Sequence, residues 1–139
     1  MADWTGHARS NYFRVKDVDA FTTFINSVPG IAFWTKDNDS TCFAIFADVT
    51  DHGGWPDTRE VEGQADDIYG METLADDLAH HLAENEVAIL MEIGNENLRY
   101  FTFRSTAVAW DGRRIDLDSD DIYDRVTNEF NILPTYVSF

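Results

Sequence analysis

This chain of 139 residues is poor in the features that announce many common protein classes. Cysteine occurs once, as Cys42, which excludes an internal disulfide and makes a cytoplasmic location the default expectation. Proline occurs three times, and there is no proline-rich linker, low-complexity tract or internal repeat. One domain over residues 1–139 is therefore expected. No apolar run approaches the ~18–20 residues of a membrane span, so no membrane partner is expected. The first thirteen residues lack the basic-then-apolar layout of a signal peptide. Lysine is confined to Lys16 and Lys36.

Acid is what the chain has in excess. Asp and Glu number 26 against 10 Lys and Arg, a formal net charge of −16. A surface of that sign excludes direct nucleic-acid binding through phosphates. It also repels itself, and a cationic partner, bound cations or a salty medium would offset that repulsion. The acids are unevenly spread. Twelve fall between Asp57 and Glu96 with one base, Arg59, whereas the first fifty residues hold six acids and four bases. Apolar residues make up 44% and aromatics 14%, enough for a packed core.

Hydrophobic periodicity places the elements. Tyr12–Lys16 alternates as a strand. Asp17 is placed to cap a helix with the stripe Val18, Phe21, Phe24, Ile25 and Val28, ended by Pro29-Gly30. Ile31–Lys36 and Thr41–Val49 read as a hairpin around Asp37-Asn38-Asp39-Ser40, and Thr50–Gln64 as a loop. Met71, Leu74, Ala75, Leu78 and Leu82 mark a helix over Met71–Glu84. Val87–Ile93 is a strand, Gly94–Asn97 a turn, Leu98–Trp110 a long strand, and Asp111-Gly112 a hairpin turn into Arg113–Leu117. Asp118 or Ser119 then caps a helix carrying Ile122, Tyr123, Val126 and Phe130, and Thr135–Phe139 suits a last edge strand. The hairpins predict an α+β domain: a mostly antiparallel sheet with two or three helices on one face. A ferredoxin-like core with added strands is one arrangement of that order.

Candidate chemistry centres on Met71–Glu86, with five carboxylates and the adjacent pair His80 and His81. On a continuous helix Asp76, His80 and Glu84 would share one face, as would Asp77 and His81, a spacing open to a divalent metal. Adjacent histidines point about 100° apart, and the two-histidine helix signature instead spaces them four residues apart. No metal or cofactor is assigned on this basis, and a metal-assisted enzyme using His80 or His81 stays an open alternative. Asp116, Asp118 and Asp120 imitate the start of a calcium loop, but Asp121 and Thr127 stand where glycine and glutamate are required. No nucleophile elbow, phosphate-binding glycine loop or paired cysteine motif occurs, so no catalytic residue is assigned and a binding protein is expected in preference to an enzyme. Trp55, beside Gly53 and Gly54, is either a core anchor for its loop or an exposed binding residue.

Residues Ser10–Asp17, the Gly-Gly-Trp-Pro loop at 53–56, and His81–Glu92 followed by Leu98-Arg99-Tyr100 resemble a family of small acidic proteins carried by phages, plasmids and other mobile elements. The resemblance runs from about residue 10 to about residue 130. It implies a mobile-element setting, in which proteins of this size often counter host defence, and supplies no functional residues. Acids on successive helical turns lie ~6 Å apart, the same order as the charge spacing along duplex DNA. The expected function is a DNA-mimicking inhibitor of a host defence nuclease, with a basic nucleic-acid-binding protein as partner. Its binding residues are Asp66, Asp67, Glu72, Asp76, Asp77, Glu84, Asp118, Asp120, Asp121 and Trp55. A homodimer is a further assembly to test. Salt adaptation is the alternative account of the charge, since Asp outnumbers Glu eighteen to eight.

Overall fold

The structure, a computed structural model, describes residues 4–48, 54–56, 58–59, 67–68, 70–96 and 99–135. Along them run β1 (Trp4–Ser10), β2 (Phe13–Arg14), α1 (Val18–Asn26), β3 (Ile31–Lys36), β4 (Asp39–Ala47), β5 (Thr58–Arg59), β6 (Asp67–Ile68), α2 (Met71–Ala79), β7 (Val87–Glu96), β8 (Arg99–Ala109), β9 (Arg114–Asp118) and α3 (Asp121–Phe130). β5 pairs with β6, and the other seven strands form one antiparallel sheet, so the fold is α+β.

The registers give the strand order. Phe46 pairs with Ala32 of β3 on one edge and Arg9 of β1 on the other, and Phe43 pairs with Thr35 and with Phe13 of β2. β2 therefore continues β1 along the same edge of β4, and the sheet reads β3, β4, β1 with β2, β7, β8, β9. The order β7-β1-β4-β3 around α1 and α2 is the split β-α-β arrangement of a ferredoxin-like core, with β8 and β9 added beyond β7. The strand break is bridged by side chains. Asn11 accepts from Ile89 N–H and donates to Val87 C=O, while the Ser10 hydroxyl accepts from Ile45 N–H.

α1 and α2 cover one face of the sheet. Asp17 accepts from Ala20 N–H as the expected cap, and Phe21 and Ile25 are buried below it. Phe21 meets Phe13 edge-on at 5.9 Å and Phe43 at 4.8 Å, while Leu74 and Leu78 of α2 extend the same core to Leu90 and Val108. The opposite face has no helix on it among the described residues. Alternation puts Trp34, Met91, Ile93, Ile115 and Leu117 there, all exposed.

Four expectations are corrected. β1 is an additional strand, and its pairing with β7 carries β7 through Gly94 to Glu96, where a turn is expected. The Asp39 end of β4 leaves Asp37-Asn38 as the hairpin turn, with Asn38 at φ 65°. α2 stops at Ala79 and not at Glu84, because Leu82 bridges to Val15 and Ala83 N–H donates to Arg14 C=O. Leu82 is apolar for that strand-like contact, not for a further helical turn. The N-cap of α3 is Asp120, whose side chain makes no capping bond; Asp121 accepts from Asp118 N–H instead. Most of the expected loop at 50–64, residues 97–98, and 136–139 of the expected last strand lie outside the described residues.

Candidate functional site

The carboxylates gather along the seam between α2 and the β9 edge. β9 alternates, so Arg114, Asp116 and Asp118 point to the helix-covered side while Ile115 and Leu117 point away. α2 lies above, and Arg114 pairs with both Asp76 and Asp116 at 3.3 Å. Asp116 also accepts from the buried Thr106 hydroxyl at 2.7 Å, which fixes it. Beyond it, Glu72, Asp116, Asp118 and Asp121 line one cleft of about 260 Å³, with Arg104 on its wall. On the other side of Asp76, His80, Asp111 and Lys16 line a recess of about 340 Å³.

Of the expected binding residues, Glu72, Asp76, Asp118 and Asp121 are thus brought together. Asp118 and Asp121 are held by the turn itself, since Asp118 accepts from Asp120 N–H at 2.9 Å and Asp121 from Asp118 N–H at 2.7 Å. Asp120 is exposed beside them. Asp77 is on α2 and half-buried. Glu84 does not join the row, because α2 ends before it and it sits in the turn into β7. Asp67 is described as part of β6, and Asp66 lies outside the described residues. Trp55 is not an exposed anchor: it is 3% exposed, within the core, and its backbone N–H donates to Glu92 at 2.9 Å. Its indole N–H finds no hydrogen-bond partner among the described residues.

The histidines part company. His80 is exposed at the end of α2, whereas His81 stacks on Phe24 at 4.8 Å. Burial holds the His81 imidazole below its usual pKa, aided by the neighbouring charges of Lys16 and His80. Among the described residues, no three His, Cys, Asp or Glu side chains are grouped to hold a metal ion.

Two site residues are not among the expected binding residues. Asp116 is the best-anchored acid of the seam, and its signal is the two-residue alternation Arg114, Asp116, Asp118 on an edge strand. Arg104 pairs with Glu92 at 3.2 Å across β7 and β8, a contact that depends on register. No family model matches the chain, and no match was found among curated proteins or solved structures.

Proposed function

We propose that this chain is an acidic binding protein that offers the α2–β9 seam to a basic, nucleic-acid-binding protein. We assign it as a DNA-mimicking inhibitor of a host defence nuclease, a restriction enzyme or CRISPR complex, carried by a mobile element. The supporting observation is the convergence of Glu72, Asp76, Asp116, Asp118 and Asp121 on one seam, with two arginines among them. Glu72 and Asp76 stand one helical turn apart, ~6 Å along the axis, the order of the phosphate spacing such a groove accepts. Attraction over this distance steers encounter and weakens with salt.

The test is competition for labelled duplex DNA on purified restriction nucleases and CRISPR complexes. Displacement of DNA should fall steeply as salt is raised. It should also be lost in the Asp76→Lys/Asp118→Lys variant, which alters exposed positions only. Displacement indifferent to salt and to both substitutions defeats the mimicry. A second account is salt adaptation, favoured by the two lysines and the eighteen Asp against eight Glu. In that case the seam has no dedicated partner.

A further inference from the structure

Among the described residues, two apolar surfaces have no element packed on them, and they differ in kind. One is the open face of the sheet, where Trp34, Met91, Ile93, Ile115 and Leu117 are 43–72% exposed. The other is α3. Ile122, Val126 and Phe130 recur every four residues along it, Ile122 and Phe130 are 60% and 65% exposed, and none of its residues is buried. Asp121, Tyr123 and Val126 are half-buried, and the helix leaves Ile122 and Phe130 in water.

Among the described residues, α3 does not lie on the open face of its own sheet. Ser119 N–H donates to Phe103 C=O and Asp118 N–H to the Asp121 carboxylate, so α3 leaves β9 at a fixed turn. Asp121, its first residue, lines the cleft with Glu72 on the helix-covered side. Its own open face lies behind it.

We propose that a second copy of this chain covers the open face, the α3 of each copy lying on the sheet of the other. Reciprocal exchange closes a two-fold dimer and adds to each sheet the helix layer that an α+β sheet ordinarily has on an apolar face. Charge favours the match. The open-face positions of β1, β7, β8 and β9 hold no carboxylate in a chain of net charge −16, and Arg9 stands there over the Trp34 ring at 5.1 Å. α3 brings Asp121, Asp124 and Glu129 against one base, Arg125. Area favours it too. Half-exposed large apolar side chains leave on the order of 100 Å² each, so the five open-face residues named above, together with Ile122 and Phe130, approach the ~800 Å² per partner of a stable interface.

Sedimentation equilibrium tests this on the full chain, with Phe130→Glu and Ile93→Glu as variants. Both positions are solvent-exposed, so each monomer keeps its fold, checked by near-UV circular dichroism. The expected result is a wild-type dimer at micromolar concentration, weakened in each variant by on the order of 30-fold or more. Moderate salt should strengthen it, as repulsion between two acidic chains is screened. That is opposite to the effect of salt on the seam's binding, so the two proposals fail separately. A monomeric wild type, or a dimer that survives Phe130→Glu, overturns the inference.

Discussion

Single polar atoms hold this fold at its least regular points. Where β1 gives way to β2, Ile45 N–H is bonded by the Ser10 hydroxyl at 2.9 Å, and Ser10 is 3% exposed. Ser10→Ala leaves that buried donor unpaired, so urea unfolding should show a loss of about 1–3 kcal/mol. A loss near zero would mean that water takes the place of the hydroxyl. His81 adds a pH dependence of its own. Its pKa is held below 6.5 by burial, with Lys16 and His80 adding to the effect and Asp77 and Asp17 opposing it. As pH falls through about 6.5 the unfolded chain takes up this proton before the folded one does. Stability at His81 is therefore lost as pH drops below about 6.5 and levels off beneath its own lowered pKa. His81→Phe keeps the contact with Phe24 and removes the proton. Its denaturation midpoint should change less between pH 7.5 and 5.5 than that of the wild type, and equal slopes would place the titration elsewhere.

The elements divide by whether their pattern is local. α1 is legible because cap, acidic first turn and apolar stripe all fall within a dozen residues. Asp17→Ala should cost about 1 kcal/mol in chemical denaturation, and Asp17→Asn much less. The β3–β4 and β8–β9 hairpins are legible for the same reason. β1 is not. Its helix-facing positions are Gly6, Ala8 and Ser10, small enough to lie beneath the packed core, so the central strand lacks the bulky alternation that marks a strand. α2 is read five residues too long because Leu82 continues the helical spacing, while its burial comes from the bridge to Val15. The acids of the site are visible in sequence, but their meeting is not. Glu72 meets Asp118 and Asp121 because β8 and β9 are added beyond β7 beneath α2, and that order is a long-range property. Trp55 shows the converse, since a tryptophan between glycines and proline looks the same whether it faces solvent or core.

The net charge of −16 acts on the chain as a whole, and salt separates its two accounts. Repulsion among exposed carboxylates is screened once the Debye length falls to ~10 Å, near 0.1 M, and little is left to screen at ~3 Å, near 1 M. The core that opposes this repulsion is substantial: Phe13, Phe21, Ile25, Ile45, Leu74, Leu78 and Leu90 are at most 1% exposed. Several arginines already lie beside acids, as Arg114 does between Asp76 and Asp116. A protein whose charge serves a partner should therefore be folded in dilute buffer. Its melting temperature should rise between about 0.01 and 0.2 M KCl and then flatten, because screening is nearly complete. A salt-adapted protein should instead be poorly folded in dilute buffer and keep gaining stability into molar KCl. The melts are best made on Phe130→Glu, so that salt-driven association adds nothing to the midpoint. Flattening would leave the exposed acids of the seam as groups kept at a cost to folding, which is the condition a dedicated basic partner explains. A steep rise continuing through molar KCl would assign the same acids to the solvent and remove the case for mimicry.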